Sequence, residues 1–252
     1  MKQFSLAEYL KNMNRKFDWI GDFNEGFAIV NINDKLNFID TNGKLLSQQW
    51  FDDAERFYER FAAVQLNNKW NFINTEGRIL SNQWFDSVWP FIEGFAQVYL
   101  NGKYNFVNTE GQLLSKQWFD AAGNFKEGFA RVALNGKYNF INIEGKLLSK
   151  QCFDSVGNFN DGFAVVKINY KCNFINTKGR ILSKQWFDAM WNFNDGFSKV
   201  RLNGQYNFIN TNGQLLSQQW FDDIFEFNNY FASVQLYSKL KSIDTNGKFF
   251  EY

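Results

Sequence analysis

The sequence predicts an all-β protein built as a tandem array of short hairpin repeats, and three observations carry that expectation. A glycine recurs every 34 residues, at 43, 77, 111, 145, 179, 213 and 247. A phenylalanine at 27, 61, 95, 129, 163, 197 and 231 and an aspartate at 18, 52, 86, 120, 154, 188 and 222 keep the same period. Within each period, apolar residues alternate at spacing two and stop at turn-forming pairs, which is strand rather than helix spacing. Residues 15–252 divide into seven repeats of 34 with no insertion. A single repeat domain is therefore expected over 15–252.

A period of 34 also occurs in helical arrays, so the repeat itself must decide. In Phe129-Ala130-Arg131-Val132-Ala133-Leu134, one face carries Ala130, Val132 and Leu134, and the other carries Arg131 and Ala133. Asn135-Gly136 follows and predicts a type I′ turn, which needs positive φ at both positions. Lys137 to Asn142 is a second alternating segment. Ile143-Glu144-Gly145 then supplies a glycine for the left-handed position of a three-residue hairpin loop before Lys146-Leu147-Leu148. Turn signals this frequent leave no room for two helices per repeat.

Lys69-Trp70-Asn71-Phe72-Ile73-Asn74-Thr75-Glu76-Gly77, preceded by Phe-Ala-x-Val and followed by Trp-Phe-Asp, resembles the WG (KWG) repeat of bacterial tandem-repeat proteins. The resemblance covers residues 15–252 in order and spacing, and it implies an architecture more than an activity. One departure is systematic. The family's glycine after Trp is Asn here, at 37, 71, 105, 139, 173 and 207. The Trp itself is kept at Trp70 and is Tyr, Leu or Cys elsewhere.

Seven four-strand repeats can run on as an open β-solenoid or superhelix, or close as a seven-bladed β-propeller. The strand-face pairs Ile29/Asn31, Ala63/Gln65, Gln97/Tyr99, Arg131/Ala133, Val165/Lys167, Lys199/Arg201 and Ser233/Gln235 are mostly polar, which predicts a solvated face and favours the open form. The end repeats decay, with Lys16 at the position of Trp50 and Ser242 at that of Phe208, as end caps of open arrays do. Residues 1–14 fit an N-terminal capping helix. Ser5 and Glu8 have capping-box spacing, and Leu6, Tyr9, Leu10 and Met13 line one helical face. The integral number of repeats is the observation on the side of a ring.

Composition narrows function. Lys plus Arg number 27 and Asp plus Glu 26, a balance unlike the basic surfaces of nucleic-acid binders. Neither a membrane-spanning apolar run nor a secretory signal is evident, and two Cys form no disulfide framework, so a cytoplasmic protein is expected. The chain has no His, which removes Ser-His-Asp and Cys-His catalysis and His metal ligands. Carboxylate or Lys chemistry stays open in principle, yet every candidate carboxylate either repeats with the period or is exposed and scattered. No enzyme activity, metal or cofactor is expected. The Asp of Trp-Phe-Asp reads as a carboxylate accepting backbone N–H bonds at a turn, rather than as a calcium ligand. Cys152 and Cys172 stand at Trp and Tyr/Trp positions and read as core thiols.

Positions that vary against the repeating background are the candidate site. Arg131, Lys167, Lys199 and Arg201 lie on the exposed strand face, beside Tyr99 of an earlier repeat. Trp89, Trp191 and Phe225 share a variable column after Trp-Phe-Asp. Tyr170 replaces the turn glycine, so either that turn changes type or the side chain is placed for contact. The expected role is a non-enzymatic scaffold binding a protein partner through this variable face. A small anionic or carbohydrate ligand and a structural or assembly role are the alternatives.

Overall fold

The computed structural model describes residues 16–228 and 230–250. The capping helix expected over 1–14 lies outside the described residues. Among the described residues there are 22 strands and no helix. The chain divides into two compact units, Met1–Asn124 and Phe125–Tyr252.

In the first unit the sheets are β1 (Trp19–Ile20), β2 (Phe27–Ile32) and β3 (Lys35–Asp40); β4 (Asp53–Ala54), β5 (Phe61–Leu66) and β6 (Lys69–Asn74); and β7 (Ser87–Ile92), β8 (Phe95–Leu100) and β9 (Lys103–Asn108). Strand β10 (Ala121–Lys126) carries the division between the units. The second unit holds the hairpin β11 (Phe129–Leu134) and β12 (Lys137–Asn142), then β13 (Ser155–Val156), β14 (Phe163–Ile168) and β15 (Lys171–Asn176). It continues through β16 (Ala189–Met190), β17 (Phe197–Leu202) and β18 (Gln205–Asn210) to β19 (Asp223–Ile224), β20 (Phe231–Leu236), β21 (Lys239–Asp244) and β22 (Phe249–Phe250). Neighbouring strands pair antiparallel, and none of these sheets closes into a barrel.

The turn chemistry explains the register. Asn135 and Gly136 have φ of 51° and 73°, the paired positive values of a type I′ turn, and Leu134 pairs with Lys137 across it. Tyr170 keeps the same turn with φ of 65°, so the turn type does not change. The loop after the third strand is closed by its own Asn. Asn142 Oδ1 accepts from the Glu144 and Lys146 amides at 3.1 and 2.9 Å, and Gly145 takes the left-handed position at φ 76°.

Three strands form each internal sheet, where four were expected. The fourth segment is reduced to a bridge such as Ile73 with Ile79, because the chain turns away after two residues. It returns at the Phe of Trp-Phe-Asp. Phe85 exchanges both backbone bonds with Trp70, at 2.7 and 2.9 Å, and so borders β6 before starting the next sheet.

The core lies between successive repeats. In the first unit Ala63 and Phe72 of one repeat pack with Phe85, Phe91, Ala96 and Val98 of the next. Phe61 and Phe91 are 4.4 Å apart, ring centre to ring centre, and Phe72 and Phe91 4.9 Å. In the second unit Phe129 and Phe140 meet Phe159 at 4.5 and 4.9 Å in the same way. Burying one such ring stabilises by about 1.5–3 kcal/mol. A single repeat has only half of this core, which is why the pattern must recur.

Candidate functional site

The repeated polar residues are consumed by joints between repeats. Asp154 Oδ2 accepts from the Asn169 amide at 2.7 Å, capping the turn of its own repeat, while Oδ1 takes Lys137 Nζ of the repeat before. Lys35 with Asp52, Lys69 with Asp86, Lys103 with Asp120 and Lys171 with Asp188 repeat the ion pair. The Lys bond first, and the turn amide second, hold Asp52, Asp86, Asp154 and Asp188 below the usual carboxylate range. The carboxylate at a turn is therefore as the sequence predicts, and the Lys partner is what the sequence reading missed. It was visible as a lysine 17 residues earlier with the same period.

Two further joints were not anticipated. Glu25 accepts from the Glu59 and Arg60 amides at 3.0 and 2.8 Å, and Glu127 from the Asp161 and Gly162 amides at 3.0 and 2.9 Å. Each carboxylate binds the outward N–H pair of the next repeat's tight turn. The Asn that replaces the family glycine is the second. Asn71 is fully buried; its Nδ2 donates to the Ser81 and Gln83 carbonyls, and its Oδ1 accepts from the Phe72 and Ser81 amides. It satisfies the backbone of the segment that leaves β6. The periodic glycine has a second role too, since a Cβ on Gly179 would stand 2.3 Å from the Leu148 carbonyl oxygen of the preceding repeat.

The thiols part company. Cys172 is buried and burial pushes its pKa up, as a core thiol should behave. Cys152 is exposed, which corrects the core assignment. Its column is a rim: Trp84, Trp118, Trp186 and Trp220 are themselves only half-buried, and a short side chain there does not reach the core.

Tyr99 and the variable cations lie on middle strands and Tyr170 lies in a turn, whereas Trp89 is on the edge strand β7 and Trp191 and Phe225 directly follow β16 and β19. Arg131 is on β11, Lys167 on β14, and Lys199 and Arg201 on β17, so the four cations occupy three sheets. The strand face was expected to be solvated, and this is corrected in part: Ala63, Gln97 and Ala133 are buried, Arg131 and Arg201 are half-buried, and Lys167 is exposed. The cause is the following repeat, which leans over the face. Lys199 shows it, with Nζ donating to the Ile224 carbonyl at 2.8 Å and pairing with Asp223 at 3.2 Å. It also lies 4.3 Å from the Tyr206 ring centre and 5.4 Å from that of Trp191. Arg201 lies close enough to Asp188 to contribute to its lowered pKa. Tyr170 is 96% exposed and Phe225 54%.

Aromatic side chains gather at two equivalent places. Trp89, Tyr104 and Tyr99 form one, with ring centres 5.9 Å apart for Trp89–Tyr104 and 4.8 Å for Tyr99–Tyr104. Trp191 and Tyr206, at 6.2 Å, form the other around Lys199. Trp89 and Trp191 are 37% and 41% exposed. Beside Trp191 a small cleft of about 20 Å³ is bounded by Asn192, Asn194 and Glu226 among others. Among the described residues, no group of three or more Cys, Asp or Glu side chains is placed to share a metal.

Sheets of one design joined by recurring side-chain bonds define a tandem β-repeat protein. The family model for the WG containing repeat matches residues 15–35, 38–70, 72–104, 106–138, 140–172 and 174–206. These segments span more than half of the chain, and the chain belongs to the WG-repeat family. No curated protein shows significant sequence similarity to it. Among solved structures, Hsv2p of Kluyveromyces lactis is similar at 10% identity, covering 89% of this chain and 92% of that one, with a TM-score of 0.36. A eukaryotic initiation factor is similar at 12% identity, with coverage of 92% and 74% and a TM-score of 0.39. PorZ, a surface component of the type-IX secretion system of Porphyromonas gingivalis, reaches 8% identity, coverage of 93% and 37%, and a TM-score of 0.31. Likeness at this level says nothing of what the chain binds.

Proposed function

We propose that the chain is a non-enzymatic scaffold, working in the cytoplasm, that binds a protein partner through its variable surface. One observation supports this above the rest. The periodic Asp, Lys, Glu and Asn side chains are engaged in joints, whereas Trp89, Tyr170, Trp191 and Phe225 are exposed and differ from repeat to repeat. Selection for packing explains the first set and not the second. The balanced charge disfavours nucleic acid as the partner. Lys199 is taken up by Asp223 and Ile224, so the cations offered to a partner are Arg131, Lys167 and Arg201.

The test is cross-linked co-purification from the native cell, repeated with Arg131→Ser, Lys167→Ser and Arg201→Ser combined. The triple variant should melt near the parent temperature and bind the recovered partner with a flatter salt dependence, because exposed charges are screened over about 8 Å at physiological ionic strength. Unchanged affinity and salt slope would remove these cations from the interface. A partner that binds a scrambled surface equally well would remove the scaffold reading.

A further inference from the structure

The two aromatic clusters are the same place in repeats three apart, and they differ in one informative way. Trp89, Gln97, Tyr104 and Ala121 correspond to Trp191, Lys199, Tyr206 and Asp223, each pair separated by three periods. In the second unit the site is closed from within, since Lys199 Nζ lies over the rings and donates to the Asp223 carboxylate and the Ile224 carbonyl. In the first unit the cation is an amide and the carboxylate is Ala121. Gln97 is 8% exposed, and its Nε2 is buried without a hydrogen-bond partner. A buried unpaired donor is costly and calls for an explanation, and a ligand that accepts from it supplies one.

The strand register puts this donor on the aromatic face. Gln97 pairs with Phe106 and Tyr99 with Tyr104 across β8 and β9, so the two share one side of the pleat. On the other edge the ladder between β7 and β8 slips between Val88 and Phe91, which places Trp89 in a bulge beside Gln97. Bulges re-aim side chains and recur next to sites. Gln97 Nε2 is screened from solvent, and Trp89, 37% exposed, stands in the bulge opposite it, so a ligand that reaches the amide must displace a neighbouring ring, of which Trp89 is the exposed one.

We infer that the Trp89–Gln97–Tyr99–Tyr104 cluster binds a neutral saccharide, which stacks on Trp89 and accepts a hydrogen bond from Gln97 Nε2. The ligand oxygen takes the position that the Asp223 carboxylate fills in the equivalent site. An uncharged donor suits an uncharged acceptor, and Ala121 offers no carboxylate to compete. The flat rings match the apolar face of a sugar. Tyr99, Tyr104 and Ser87, the residue opposite Tyr99, add hydroxyls that both donate and accept, as sugar hydroxyls do. A proline-rich segment would also stack on such rings, but its carbonyls only accept and would leave those hydroxyls half used. This inference goes beyond the scaffold reading and fails independently of it.

The experiment titrates the full chain with maltotriose, cellotriose, mannotriose and chitotriose, and with decaproline, by calorimetry. One or more of the sugars should bind at one site per chain. Gln97→Met should weaken that binding about tenfold, the loss of one amide hydrogen bond, while leaving the melting temperature equal or higher because the unpaired amide is gone. Gln97→Lys with Ala121→Asp should rebuild the internal closure of the second site and abolish sugar binding in a folded protein. Absence of binding by all four sugars, binding by decaproline instead, or full sugar affinity in the Gln97→Lys/Ala121→Asp variant would each overturn the inference.

Discussion

Replacing Asn71 by Ala tests whether the buried Asn column holds the repeat together. The side chain makes four hydrogen bonds: Nδ2 to the Ser81 and Gln83 carbonyls at 2.8 and 3.2 Å, and Oδ1 from the Phe72 and Ser81 amides at 2.8 and 3.2 Å. Each is worth about 1 kcal/mol net, and a group left buried without a partner costs about 1–3 kcal/mol. Water entering the vacated space recovers part of this, so the expected loss is about 3–5 kcal/mol. That corresponds to roughly 10 °C in melting temperature for a domain of this size. Urea unfolding followed by far-ultraviolet circular dichroism measures it, with hydrogen exchange of Phe72 and Ser81 locating the opening. Asn71→Asp keeps the shape and the two acceptor bonds but faces a carboxylate oxygen to two carbonyls, so it should be as damaging near neutral pH. A loss below about 1 kcal/mol for Ala, or a neutral Asp variant, would refute the assignment.

Other outcomes follow from the same geometry. Gly179→Ala should destabilise by more than the roughly 1–2 kcal/mol of a left-handed residue alone, because its Cβ meets the Leu148 carbonyl; a melting curve matching the parent would contradict this. Native-state alkylation should modify Cys152 quickly and Cys172 only on unfolding, as mass spectrometry of the labelled chain can show. The joint carboxylates Asp52, Asp86, Asp154 and Asp188 have lowered pKa values, so their contribution is complete above the unfolded carboxylate value of about 3.9. It is lost as pH falls from there through the folded values, and Asp→Asn variants should flatten that acid limb of the unfolding profile. Lys199→Ser should lower stability where Lys167→Ser does not, since only the former pairs with Asp223 and Ile224.

The fold was legible wherever turn chemistry and period-two alternation spoke together. Asn135-Gly136 and the glycine at 145 fixed their hairpins because only certain residues tolerate positive φ. The fourth strand was not legible, since Leu147 and Leu148 look like any strand start and the departure after them is decided by Asn139 and its bonds ten and twelve residues on. The joints escaped for a related reason: the lysines at 35, 69, 103, 137 and 171 read as solvated charges until their aspartate partners in the neighbouring repeat are known. Among candidate site residues, Trp89, Trp191, Phe225 and Tyr170 stood out as interruptions of a period, and they are exposed. Lys199 stood out equally and is internal, while Gln97 looked ordinary, because burial on that face is set by the next repeat.

The carboxylate of Glu25 finds both of its amide partners 34 and 35 residues further on, and Glu127 repeats the interval. During synthesis, then, a hairpin leaving the ribosome waits for one more stretch of that length before its core and its joint can both close. Chain elongation at about 5–20 residues per second makes that a matter of seconds per step. Within each unit a core can close as soon as the next repeat has emerged, and the half-built core left exposed is only one repeat deep.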